Sequence, residues 1–264
     1  MTESSIGVFD SGVGGLSVLR VLRSTLPGTA FRYVADSAHA PYGERSDAYV
    51  IERALRITRE LRAQGTTLLV VACNTATAVA VDTLRATWPD MPIIGIEPGI
   101  KPALALTRSG RVGVMATRAT LGSERFANLL RAQCSQSDVH VHLQPCDGLA
   151  AAIESGDLDS AAVRSAVMRH CDALRAHNVD TVVLGCTHYP FAAHHIQAAL
   201  GESVQLVDTG AAVAREVARR WQGDASSSAA LLLQTTGTAS TLHDTANRWL
   251  GAGEAKNTST LRLD

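Results

Sequence analysis

Leu68–Thr77 reads LLVVACNTAT, and Val182–Pro190 reads VVLGCTHYP. In each stretch a run of branched apolar residues has the length and composition of a buried strand. Each run then delivers a cysteine followed by hydroxyl and amide or imidazole side chains. Ligands of open parallel α/β sheets bind in the crevice outside the carboxyl ends of the strands. Cys73 and Cys186 therefore fall where chemistry is done.

Working outward, Ile6–Phe9 reads as a strand that runs into Asp10-Ser11-Gly12-Val13-Gly14-Gly15, after which Leu16, Leu19, Leu22 and Leu26 recur at helical spacing. Ser17 stands where a dinucleotide-binding GxGxxG turn needs its third glycine, so the turn reads instead as an amide-rich helix N-terminus suited to a small carboxylate. Strand Phe31–Ala35 ends in Asp36-Ser37 and the loop His39–Gly43, and Asp47 is expected to cap a helix that Gly65 ends. Strand Leu68–Ala72, helix Thr77–Thr87 and strand Ile93–Ile96 follow.

After Glu97-Pro98-Gly99 the pattern restarts. Strand Val112–Met115 leads to the polar turn Ala116-Thr117-Arg118-Ala119-Thr120; Phe126, Leu129 and Leu130 mark a helix, and Val139–Leu143 a strand. Helical segments Gly148–Glu154 and Asp159–His177 precede strand Thr181–Leu184 and Cys186-Thr187-His188. Strand Val204–Val207, a helix to Trp221, a soft segment Gly223–Ser228, strand Leu231–Gln234, a helix ending near Leu250 and a polar tail complete the chain.

Asp10 precedes Cys73 by 63 positions and Thr117 precedes Cys186 by 69, a spacing that fits a duplication. Alternating strands and helices with short turns give an α/β fold with parallel sheets. The expectation is two pseudo-symmetric α/β units, residues 1–97 plus 207–264 and residues 98–206, with the active site in the cleft between them. The last segment is expected to join the first unit, since the termini of a domain often lie close together.

The 264 residues are 46% hydrophobic with a formal net charge of -1, which leaves no basic field for a nucleic acid or an anionic membrane surface. No apolar run approaches the roughly 18 to 20 residues that span a bilayer. Residues 1–10 lack the basic and apolar regions of a secretory signal, so a cytoplasmic protein is expected. Lys101 and Lys256 are the only lysines, and Lys101 reads as an exposed first-turn residue, a poor Schiff-base partner for pyridoxal phosphate. Five cysteines without a CxxC argue for reduced thiols, and His140-x-His142 has no second pair of ligands, so neither a metal nor any other cofactor is expected. Cys134, Cys146 and Cys171 read as small core hydrophobes.

Two matched thiols at a shared cleft suit one reaction, stereoinversion at a carbon acid. One group takes a proton from a tetrahedral carbon and the other returns one on the opposite face. The enantiomers have equal free energy in water, so each group must serve as acid and as base, and chemically similar groups meet that demand. A thiol with an ordinary pKa of about 8.5 needs only modest tuning for either role. Acid–base catalysis supplies about 10² to 10⁴ in rate, so the rest must come from desolvation and from dipoles around a carboxylate gaining enolate-like charge. Asn74, Thr75, Thr117 and Thr187 are donors in suitable places, while Asp10 and His188 stand beside the thiols.

The motifs FDSGVGG, ADSAHAPYG, ACNTAT, GVMATRAT and GCTHYP occur in this order, and with them the chain resembles the cofactor-independent aspartate/glutamate racemases, in particular the glutamate racemases. The resemblance implies interconversion of L- and D-glutamate for peptidoglycan synthesis, with Cys73 and Cys186 as catalytic acid/bases assisted by Asp10 and His188. It further implies substrate binding by Asp10, Ser11, Pro41, Tyr42, Gly43, Asn74, Thr75, Thr117, Thr187 and His188, with Asp36, Thr120 and Glu154 as additional candidates, and a homodimer. Around Glu154 the chain reads PCDGLAAAIESG and departs from the apolar, proline-containing stretch of the family. Aspartate racemase is the nearest alternative, but its second Cys-Thr is usually followed by glutamate, where this chain has His188. A non-catalytic amino-acid or anion-binding protein is the alternative of another class.

Overall fold

The computed structural model describes residues 4–135, 138–223 and 230–263. The strands in the first part of the chain are β1 (Ser5–Asp10), β2 (Phe31–Ala35), β3 (Thr66–Val71) and β4 (Ile93–Gly95). Between them run α1 (Leu16–Thr25), α2 (Asp47–Ala63) and α3 (Asn74–Thr87). β1 is buried along its whole length and β3 at every residue but Thr67. Strands covered by helices on both faces carry continuous apolar runs of this kind. The Phe9, Val34, Leu69 and Val71 side chains form one core with Ala54, Ile57 and Leu61 of α2 and Ala80 and Leu84 of α3.

The second part contains α4 (Ile100–Leu106), β5 (Arg111–Ala116), α5 (Arg118–Gly122), α6 (Glu124–Cys134), β6 (His140–Pro145), α7 (Leu149–Glu154), α8 (Ala161–Arg175), β7 (Thr181–Leu184), α9 (Ala193–Leu200) and β8 (Gln205–Val207). The chain ends with α10 (Gly210–Arg220), β9 (Leu231–Thr235), α11 (Ala239–Leu250) and β10 (Thr258–Thr260).

Among the described residues the strands form two parallel sheets, ordered β10-β9-β2-β1-β3-β4 and β6-β5-β7-β8. The run β2-β1-β3-β4 in one sheet has the same order as β6-β5-β7-β8 in the other. Asp10 and Ala116 end the corresponding strands β1 and β5, while Cys73 and Cys186 each lie two residues beyond the corresponding strands β3 and β7. The chain divides into two compact units: the described residues up to Ile96 with those from Gly210 onward, and Glu97–Thr209. α10 packs on α1 and so belongs to the first unit.

Several boundaries differ from the sequence reading for local reasons. Helix α3 starts at Asn74 rather than Thr77, because Cys73 occupies the N-cap and its sulfur accepts the Ala76 amide at 3.4 Å. Asn and Thr signal a turn in sequence, yet here they form the first turn of a helix. The cap of α2 is Ser46, whose hydroxyl accepts from Tyr49 N, and Asp47 is the first helical residue. The polar tail contains the edge strand β10, paired with β9. It lacks the apolar signal of a buried strand because Ser259 and Thr260 are exposed. Residues 224–228 of the soft segment, and residues 1–3, lie outside the described residues.

Candidate active site

In the first unit, Asp10 ends β1 fully buried, and its Oδ2 accepts the Gly15 amide at 2.8 Å. The glycine turn expected to suit an external carboxylate thus already holds the chain's own. A Cβ on Gly15 would lie 2.7 Å from Asp10 Cβ and 3.0 Å from the Tyr33 hydroxyl, which donates to Gly12 O at 2.7 Å. Only glycine fits there. Cys73, 5% exposed, donates from Sγ to Ser11 Oγ at 3.7 Å. Its sulfur sits at the positive end of the α3 dipole, a setting shared by reactive cysteines.

Asn74 and Thr75 are buried in the first turn of α3. Asn74 Oδ1 has no hydrogen-bond partner among the described residues. A buried polar atom left unmatched costs about 1 to 3 kcal/mol, so a bound ligand that supplies the partner gains by it. Thr77, expected only as the first residue of a helix, donates to Val71 O at 3.2 Å and accepts from Ile96 N at 3.1 Å, tying the loop after β4 to the start of α3.

Pro41 follows a cis peptide, and Tyr42-Gly43-Glu44 forms a single 3-10 turn. Glu44 N and Arg45 N bond back to Pro41 O and Tyr42 O, and among the described residues the amides of Tyr42 and Gly43 donate to no carbonyl. The Tyr42 ring is buried, and its hydroxyl donates to Asp36 Oδ2 at 2.5 Å. Burial and the adjacent Asp36 carboxylate push this phenol far above its ordinary pKa. Asp36 is itself fully buried and receives Arg53 Nε at 3.0 Å, Arg53 Nη2 at 2.8 Å and the Thr236 hydroxyl at 2.8 Å. Arg53 and Thr236 carry no motif signal. Arg53 sits in sequence on an ordinary amphipathic helix, and Thr236 among unremarkable threonines.

In the second unit, Thr117 follows β5 and caps α5: its Oγ1 accepts the Thr120 amide at 3.1 Å and bonds the Thr120 hydroxyl at 2.9 Å. Thr120 is buried and Thr117 half-buried. Cys186 is 7% exposed, and Thr187 and His188 beside it are buried. His188 Nδ1 lies 3.7 Å from Cys186 Sγ, and its Nε2 lies 2.5 Å from Glu154 Oε2 at the end of α7. Burial opposes a charged ring, but hydrogen bonds to Cys186 and to the Glu154 carboxylate outweigh it and raise the His188 pKa well above its usual value. The unusual sequence around Glu154 thus still delivers a carboxylate to the imidazole. A Cβ on Gly185 would approach Met115 O to 2.9 Å, so glycine lets the chain before Cys186 lie close to β5.

Burial pushes Cys146 well above an ordinary thiol, and its Sγ donates to Gln144 O at 3.3 Å. Cys171 is pushed up to about 12 by burial, and Cys134 is also raised by burial. Thiols held protonated in this way suit packing roles. Tyr189, fully buried beside Cys186 and Cys146, was also missed from sequence; burial and these two sulfurs push its phenol far up.

Lys101 is exposed in the first turn of α4, and the His142 ring stacks on His177 at 4.0 Å. Among the described residues one trio of metal-ligand types converges, Asp159, His194 and His195, with ligand atoms within 4.8 Å. It includes neither thiol. Among the described residues, no helix is long and apolar enough to cross a membrane.

The family model for Asp/Glu/hydantoin racemases matches residues 6–217. A glutamate racemase from Ectopseudomonas mendocina is 52% identical over 218 residues, 83% of this chain and 82% of that protein. One from Pseudomonas aeruginosa PAO1 is 50% identical over 217 residues, 82% and 81% of the two chains. Among solved structures, Escherichia coli glutamate racemase in complex with L-glutamate and the activator UDP-MurNAc-Ala has a TM-score of 0.85 at 33% identity, covering 95% of this chain and 96% of that one. Bacillus anthracis glutamate racemase RacE1 has a TM-score of 0.84 at 32% identity, covering 100% and 98%. With two parallel α/β sheets of one plan, each followed by a buried thiol, and with these relatives, the chain belongs to the Asp/Glu/hydantoin racemase family.

Proposed function

We propose that this chain is a cofactor-independent glutamate racemase, with Cys73 and Cys186 as the two acid/bases acting on opposite faces of one α-carbon. The observation that carries the reading is the matched placement of the thiols, each buried just beyond the equivalent strand of its unit. In one direction a thiolate removes the α-proton, the electron pair moves into the α-carboxylate, and the other thiol protonates the opposite face. The Asn74 amide and the Thr75, Thr117 and Thr187 hydroxyls are assigned to the α-carboxylate as it gains charge, where preorganised donors act most strongly. Asp10 is assigned to the substrate ammonium, and His188 to charge balance at Cys186.

The Ser11 hydroxyl and the Tyr42 and Gly43 amides are assigned to the side-chain carboxylate, with Pro41 shaping their turn. Aspartate is one methylene shorter, worth about 0.8 kcal/mol by burial alone. Leaving buried donors without their carboxylate costs about 1 to 3 kcal/mol or more, so the polar loss dominates. The product serves as D-glutamate for peptidoglycan in the cytoplasm, and the working form is a homodimer.

Incubation with L-glutamate and L-aspartate in D₂O tests the reading. The expected result is α-deuteration with inversion, and kcat/KM at least about tenfold higher for glutamate. A preference for aspartate would reassign the substrate, and no exchange on either acid would indicate a binding protein. Light scattering at working concentration tests the dimer.

A further inference from the structure

We infer that Arg53 and Thr236 are positioning residues for the substrate's side-chain carboxylate, acting through Asp36 on the turn that carries the Tyr42 and Gly43 amides. This rests on the reading of those amides as the carboxylate site. Asp36 lacks capacity to contact a substrate itself: its two oxygens already accept four hydrogen bonds, from Arg53 Nε and Nη2, the Tyr42 hydroxyl and the Thr236 hydroxyl. A carboxylate buried to this degree persists as a charge only when it is paired and hydrogen-bonded. The fork of Arg53, 9% exposed, meets both oxygens, a geometry a lysine cannot reproduce.

Thr236 does more than fill a lone pair. Its hydroxyl donates to Asp36 Oδ1 and accepts from the Ala38 amide at 3.2 Å, while its own amide donates to Ala35 O at 3.1 Å. A Cβ on the next residue, Gly237, would come within 3.1 Å of Ser37 Cβ, so the segment after β9 lies directly against residues 35–38. Arg53 reaches the same carboxylate from the middle of α2. Asp36 in turn receives the Tyr42 hydroxyl, and Tyr42 contributes one of the two amides at stake. The loop is therefore set from two elements, the helix that follows it, with Arg53 17 residues beyond Asp36, and the segment after β9, with Thr236 200 residues beyond it. Thr236 lies beyond residue 217, where the family match ends, so this contribution comes from the part of the chain outside that match.

The test is steady-state kinetics of the full chain carrying Thr236→Val, which keeps the shape and removes the hydroxyl. The expected result is a KM for glutamate raised about five- to tenfold with kcat within about twofold, as for lost binding that is uniform along the reaction. Thr236→Ser should restore KM, and Arg53→Lys should shift KM in the same direction as Thr236→Val. A KM unchanged in a folded Thr236→Val protein would overturn the inference, as would a Ser variant as impaired as the Val variant. Loss of kcat in parallel with a lowered Tm would also overturn it, since that marks a merely structural role. A wild-type chain that does not turn over glutamate would overturn the underlying reading instead, a result visible before any variant is made.

Discussion

Nε2 of His188 lies 2.5 Å from Oε2 of Glu154, while the other nitrogen of the same ring lies 3.7 Å from the sulfur of Cys186. The imidazole thus links a thiol to a carboxylate 34 residues earlier in the chain. The carboxylate helps hold the proton on the ring against the cost of burial. In Glu154→Gln that cost remains and the negative charge is gone, so the ring loses its proton at lower pH. The alkaline limb of kcat/KM is expected to move to lower pH, with activity at pH 8 reduced at least about tenfold. A pH profile superimposable on wild type would detach Glu154 from the chemistry.

The same pair bears on stability. A raised histidine pKa in the folded state stabilises the protein fully below the ring's unfolded value of 6.5, and the contribution is lost as pH rises through the folded value. The difference in Tm between wild type and Glu154→Gln should therefore be largest at about pH 6 and shrink in alkaline buffer.

Cys73→Ala and Cys186→Ala are each expected to abolish racemisation with the far-ultraviolet spectrum unchanged, because deprotonation from one face alone cannot invert a centre. Cys134→Ala and Cys171→Ala should stay active. Cys146→Ala should also retain activity, since burial holds that thiol protonated and its Sγ bonds a backbone carbonyl. Inactivity of all five variants alike would show that the thiols do not divide as assigned.

Gly15→Ala tests the seat of Asp10. The added Cβ would sit 2.7 Å from Asp10 Cβ, closer than atoms tolerate, with the Tyr33 hydroxyl 3.0 Å away on another side. Overpacking of this kind costs about 1 to 3 kcal/mol and moves neighbours. A lower Tm and a loss of activity of at least about tenfold are expected together. Wild-type kinetics in this variant would mean that Asp10 need not be held where it is.

Asp180 supplies a contrast in acid. Its Oδ1 accepts from the Thr107 hydroxyl at 2.6 Å and its Oδ2 from the Arg108 and Ser109 amides at 2.8 and 2.7 Å. Burial pushes the carboxyl up, but these donors prevail and lower it to about 2. Its stabilisation is present above the unfolded value of 3.8 and is lost as pH falls through about 2. The stability deficit of Asp180→Asn, measured by urea unfolding, should be constant above about pH 5 and narrow below about pH 4. A deficit that widened in acid would contradict this.

Local patterning in the sequence was enough to determine the α/β alternation, the two-fold repeat of plan and the delivery of Cys73 and Cys186 just beyond buried strands. Apolar runs report burial within one element, and small polar residues at their ends report where the chain leaves the sheet. The same information did not reveal that Cys73 caps α3, because Asn74 and Thr75 favour turns as readily as first helical turns. Nor did it reveal β10, whose pairing with β9 leaves an exposed edge with no apolar signature.

Only the tertiary structure decided the partners of the buried charges. Asp36 meets Arg53 because α2 packs over the sheet, and it meets Thr236 because β9 pairs with β2 in register, Ala35 opposite Thr235. His188 meets Glu154 only through the fold of the second unit, in which α7 packs against the turn after His188. Sequence periodicity says which side of an element faces inward, but a buried carboxylate is satisfied by whichever donors the neighbouring strands and helices bring up to it. That choice is made by strand order and register, which depend on the burial of the whole sheet at once and have no local signature.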